Sequence, residues 1–131
     1  MNSLDKQIKI RPKNLNLLSI KFPMSAVMSV GHRAAGILLF LLLPYLLYLL
    51  HLSLNNKSDF LLVKEQLQSP AAKFFTLIII WSLVHHFLAG IRYFLLDIDV
   101  GIEKHLAQKT AVFVMAGSFI IVIICAFFFF Q

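Results

Sequence analysis

Three long apolar stretches dominate the chain, separated by short polar segments. The first runs from about Met24 to Leu50, broken only by Ser25, Ser29, His32 and Arg33 near its start. The second runs from about Lys73 to Leu96 and the third from about Thr110 to Phe130. At a rise of about 1.5 Å per residue each is long enough to cross the ~30 Å hydrocarbon core of a bilayer, so the pattern predicts three transmembrane helices, about 24–50, 73–96 and 110–130. Pro44 falls inside the first; a proline is tolerated in a membrane helix with a local kink, and one helix is expected there, not two. Tyr45 and Tyr48 suit an interfacial belt.

The segments between are distinct in character. Residues 1–23 read as a polar, basic arm in which Arg11-Pro12 discourages helix and Phe22-Pro23 marks the approach to the first span, leaving residues 24–131 as the membrane domain. His51 to Pro70 is a polar connection; Asn55 to Asp59 is its most loop-like part, and Phe60 to Leu67 can form a short interfacial helix. An acidic, glycine-containing segment, Asp97 to Glu103, joins the second and third spans.

Composition sharpens this picture. Of 131 residues, 60% are hydrophobic and 14% charged, too little charge for a solvated globular surface. The net charge of +6 gathers at the start of the chain, in Lys6, Lys9, Arg11, Lys13, Lys21 and Arg33. Beside a membrane span such an arm acts as anchor and orientation signal, which displaces a nucleic-acid reading. The distribution of Lys and Arg predicts a cytoplasmic N-terminus and acidic loop, with the Asn-rich loop and the C-terminus on the opposite side. The single cysteine, Cys125, lies in an apolar helix and excludes a disulfide framework. No apolar core with a small-residue cleavage site opens the sequence, so no secretory signal is expected.

Polar side chains within the spans carry the candidate chemistry, because each must have a partner or a cavity. Ser29, His32 and Arg33 stand at i, i+3 and i+4 on one face of the first helix, and Gly36 at i+7 extends it. Arg33 can snorkel to the surface; alternatively, guanidinium and hydroxyl together form a pocket for a quinone carbonyl or a haem propionate. His86 lies about thirteen residues from Lys73, near the bilayer midplane at ~1.5 Å per residue. Iron ligation is a good reason for an imidazole at that depth. Its face includes Ser82, Gly90 and Tyr93. His85 stands about 100° round the helix with Ala89 and Arg92, so only one of the pair can be axial to a given haem. Counted from the helix ends, His32 is near the inner edge and His51 near the outer edge; neither reaches the depth of His86, and a six-coordinate haem would need a second membrane subunit. Asp97, Asp99 and Glu103 form a solvated loop that can also relay protons to a quinone site.

Arg11-Pro12, Asn14-Leu15, Phe22-Pro23, Ser29, His32-Arg33 and Gly36 together resemble the N-terminal signature of the cytochrome b-type membrane anchor subunits of succinate dehydrogenase. His86, Gly90-Ile91-Arg92 and Asp97 are similar to the second signature of that family. The resemblance implies an all-α anchor, not catalytic alone, that shares haem b with a second small membrane subunit. It also implies an iron–sulfur subunit and a flavoprotein as partners and a quinone, ubiquinone being the expected species, as electron acceptor. It places His86 on the haem ligand, His32 and Arg33 near haem propionate and quinone, Ser29 on a quinone contact, and Asp97 and Glu103 on carboxylates near that site; His85 matches no ligand. Ala35 stands where the first motif usually has serine, Tyr93 where the second has histidine or phenylalanine, and Leu96 where it favours an aromatic or methionine. A fumarate reductase anchor would carry the same features, and a non-haem membrane scaffold is the structural alternative. The expected location is a bacterial inner membrane, with the mitochondrial inner membrane as the alternative.

Overall fold

The computed structural model describes residues 20–131, so most of the expected basic arm, with Arg11-Pro12 and Asn14-Leu15, lies outside the described residues. Among the described residues every regular element is an α-helix: α1 Met24–Asn55, α2 Lys57–Gln68, α3 Pro70–Asp97 and α4 Lys104–Phe129. Three of them, α1, α3 and α4, are long and apolar enough to cross a membrane. The chain is an all-α membrane protein. Helix α1 passes through Pro44 as one element, as the apolar run predicts.

The polar connections hold more helix than expected. The stretch Asn55 to Asp59, read as a loop, narrows to Asn56 between two helices. The cause is a capping arrangement: the Asn56 side-chain oxygen accepts from the Asp59 amide at 2.9 Å, and the Asp59 carboxylate accepts from the amides of Asn55 at 2.6 Å and Asn56 at 2.8 Å. One of the orphan backbone donors of a new helix, the Asp59 amide, is thereby satisfied, and the Asp59 carboxylate holds the capping side chain in place. Helix α2 then folds back along α1, where Gln66 Nε2 donates to the Tyr45 hydroxyl at 3.4 Å. Pro70 holds Ser69 in extended backbone (ψ 144°), which ends α2. Ser69 Oγ accepts from the Ala72 amide at 3.2 Å and starts α3, with proline at the first helical position, where no amide is needed.

Helix α3 ends in a Schellman motif. The Val100 amide reaches the Leu95 carbonyl at 2.8 Å and the Asp99 amide reaches Leu96 at 3.1 Å, with Asp99 in the left-handed position at φ 60°, a place usually held by glycine. Helix α4 starts at Lys104, earlier than the apolar run, because Lys104, His105, Gln108 and Lys109 extend the helix beyond its lipid-compatible part.

Helix α3 is the centre of the bundle and packs chiefly on α1 and α4. Apart from Met28 of α1, what the α1–α3–α4 seam buries is small or polar: Ala35 from α1; Ser82, His85, Ala89 and Arg92 from α3; Ala111 and Ser118 from α4. Large apolar residues face outward instead, with Phe40 at 75% and Phe113 at 74% exposure. Small side chains let membrane helices approach, while the hydrocarbon outside has no reason to expel leucine and phenylalanine.

Candidate functional site

Two neighbouring histidines on α3 face different surroundings. Ser82, His85, Ala89 and Arg92 form the buried seam, spaced by three and four residues as a helix-packing stripe requires. Ser82 therefore belongs with His85 and not on the face of His86 where sequence spacing put it. His85 has no exposed surface. Its ring stacks on Trp81 with centroids 5.1 Å apart and planes at 8°, and Nδ1 lies 3.4 Å from Ser118 Oγ on α4. The Ser118 hydroxyl already donates to the Met115 carbonyl at 2.8 Å, so in this long contact the imidazole is the donor and Nδ1 carries the proton. Nε2 is buried without a partner, as is Trp81 Nε1. The α1 backbone closes over that edge at Gly31, where a Cβ would stand 2.9 Å from Nε2. Further down the seam, Arg92 donates from Nε to Thr110 Oγ1 at 2.9 Å and from Nη2 to the Ala107 carbonyl at 2.7 Å. The basic stripe of α3 thus meets α4 of the same chain.

His86, one residue on, is half-buried at the outer side of the α1–α3 contact. Its Nδ1 lies 3.1 Å from the His32 backbone carbonyl. A carbonyl only accepts, so Nδ1 is the protonated nitrogen and Nε2 keeps its lone pair. The His32 ring lies face to face with it, centroids 4.2 Å apart and planes at 10°, and Tyr93 leans on His32 at 5.3 Å. The two histidines stand at one depth, which corrects the estimate from helix ends. Counting from each end assumes that the helices start in one plane, whereas α1 enters the bundle at Met24, eight residues before His32, and α3 continues eleven residues past His86 to Asp97.

Shallow hollows open on both sides of His86. One, of about 550 Å³, is lined by His32, Arg33, Gly36, Ile37, Phe40 and His86. The other, of about 360 Å³, is lined by His86, Phe87, Gly90, Ile91 and Phe94. Both are apolar apart from His32, Arg33 and His86, and a glycine flanks His86 in each. A Cβ on Gly36 would meet His86 Cε1 at 2.9 Å.

The structure brings His32, Arg33 and His86 together. Ser29 sits half-buried one turn before His32 and lines neither hollow. Asp97, at the end of α3, and Glu103, just before α4, are exposed; neither reaches the hollows. His51 is exposed near the far end of α1. Sequence reasoning missed the contact between His32 and His86 and the glycine notches opposite the two α3 histidines. The spacing of Gly36 four residues after His32 is the signal that points to one of them.

Residues 7–125 match the family described as the succinate dehydrogenase/fumarate reductase transmembrane subunit. The chain is also similar to the succinate dehydrogenase cytochrome b556 subunit of Coxiella burnetii (strain RSA 493 / Nine Mile phase I), at 31% identity over 115 residues, covering 87% of this chain and 92% of that protein.

Proposed function

The chain belongs to the succinate dehydrogenase/fumarate reductase transmembrane subunit family, and from that premise we propose that it gives His86 to a b-type haem as one axial ligand and forms one wall of a quinone-reduction site. The carrying observation is the hydrogen bond from His86 Nδ1 to the His32 carbonyl. An imidazole held in this way presents its Nε2 lone pair, the form in which metals take neutral histidine, and the carbonyl fixes the ring and raises its basicity. The surroundings fit a flat apolar macrocycle: open hollows, glycines on both flanks and a guanidinium at one side. His85 offers no such edge, being enclosed by three helices of its own chain.

Bound haem supplies a one-electron carrier near the quinone. The other roles fall to side chains. Arg33, exposed beside His32, binds a propionate or a quinone oxygen through charge-assisted hydrogen bonds. His32 braces His86 and faces the same groups. Ser29, one turn nearer the start of α1, holds a quinone oxygen, and Asp97 and Glu103 pass protons from water toward the site.

The stacked His32 ring leaves no space between itself and His86 for a macrocycle. This supports a second axial bond from another chain, and hence a second small membrane subunit as partner. A flavoprotein and an iron–sulfur subunit complete the assembly. The name of the Coxiella relative favours succinate oxidation over fumarate reduction; the three apolar helices and the bacterial source of that relative support a bacterial inner membrane as the proposed location, and ubiquinone is the expected acceptor. Purifying the native complex through this chain tests the reading. The expected result is co-purification of those partners with a b-type absorption spectrum that sharpens on reduction. An intact complex without pigment contradicts it and supports the scaffold alternative.

A further inference from the structure

The hydrogen bond that orients His86 ends on a backbone carbonyl inside a continuous helix, and such carbonyls are normally covered. In α1 the His32 carbonyl accepts the amide of the residue four positions later, which is Gly36. A side chain from another helix reaches the second lone pair of that oxygen only if its approach is clear. Gly36 clears it: a Cβ there would stand 2.9 Å from His86 Cε1 and 3.2 Å from Nδ1, the atom that makes the bond. These contacts are with the imidazole itself, which is too rigid to yield as the tip of a long side chain does. Gly117 on α4 is the contrast, since its Cβ would meet only Leu88 Cδ1 at 3.9 Å.

We propose that Gly36 is a positioning residue which, by lacking a side chain, unmasks the His32 carbonyl for His86 Nδ1 and so sets the plane and the donor strength of that imidazole. The proposal rests on the haem reading above. With a methyl group at position 36 the ring must turn or withdraw, and the bond to the carbonyl lengthens or breaks. A ligand imidazole without its carbonyl acceptor is a weaker base. It stabilises ferric iron less, so the haem potential rises. A rotated ring also changes the rhombicity of the low-spin ferric centre, which EPR reads directly.

The test is Gly36→Ala in the assembled complex, with Gly117→Ala as the control for an added methyl group in a membrane helix. The expected result for Gly36→Ala is haem retained per complex, a more positive midpoint potential and a displaced low-field g value, while Gly117→Ala keeps the wild-type values. A Gly36→Ala complex with full haem and both readouts unchanged overturns the proposal and leaves the assignment of His86 standing. A wild-type complex devoid of haem would instead remove the reading on which the proposal rests. If Gly36→Ala does not assemble, pulsed EPR of the wild-type ferric haem decides. A remote imidazole nitrogen with the lowered quadrupole coupling of a hydrogen-bonded N–H supports the proposal, and only unbonded remote nitrogens overturn it.

Discussion

His85 and His86 are neighbours with the same side chain, yet the helix turns one into the bundle and the other out of it. His85 has no exposed surface and takes its contacts from Trp81, Ser118 and the backbone of α1 at Gly31. His86 is half-buried, and only its Nδ1 edge is tied down. The difference separates two uses of a polar group in a membrane protein. On the inner seam, His85 with Ser118 and Arg92 with Thr110 and Ala107 fasten α3 to α4, helices that the hydrophobic effect cannot hold together in lipid. On the outer face, the chain fixes one nitrogen and leaves the other available.

Substitutions on the two faces should therefore fail differently. The largest effect expected short of losing the haem ligand is on the outer face. If Arg33 binds the quinone as proposed, Arg33→Ala removes a charge-assisted hydrogen bond of about 1.5–3 kcal/mol, so quinone reduction should fall by roughly 10- to 100-fold, with succinate oxidation by an artificial dye nearly unchanged. Equal loss of both activities would indicate misassembly and erase the distinction between the faces. Gly31→Ala comes next, on the inner side. Its Cβ would press on His85 Nε2 at 2.9 Å, and overpacking of this kind costs about 1–3 kcal/mol. A lower unfolding temperature with an unshifted haem potential is the expected result; a shifted potential at unchanged stability would mean that His85 communicates with the iron.

Ser118→Ala should have a smaller effect. It leaves His85 Nδ1–H without an acceptor, but the contact it removes is already long at 3.4 Å, so a cost of about 1 kcal/mol is expected. The double variant His85→Leu, Ser118→Ala should regain most of that stability, because replacing both polar partners by apolar groups leaves neither member of the pair unsatisfied. Thermal unfolding of the single and double variants checks this, and additive losses would show that the seam is not a coupled pair. Gly117→Ala is the mildest. With ordinary contact at 3.9 Å and a gain in helix propensity of up to ~1 kcal/mol, it should leave stability unchanged or slightly raised.

Much of this division was legible in the sequence, and its limits are physical. The three spans follow from run length, and the continuity of α1 through Pro44 from the tolerance of membrane helices for proline. The face shared by His32, Arg33 and Gly36 follows from helical spacing. The hairpin between α1 and α2 does not emerge from hydropathy, since Asn56 and Asp59 are polar whether they form a loop or cap a helix. Ser82 is three residues from His85 and four from His86, so spacing within one helix cannot assign it; its burial alongside His85 does. The stack of His32 on His86 depends on how far α1 is shifted along α3, a quantity that no single apolar run contains.

The most direct test of the account compares the two histidines in parallel. The native complex carrying His86→Ala and the one carrying His85→Leu are purified, and haem per complex is measured by absorption spectroscopy. The account predicts that the first loses its b-type haem while the second keeps it with the wild-type spectrum. Full haem in the His86→Ala complex, or its loss only on substitution of His85, would contradict the assignment of the outward-facing imidazole to iron.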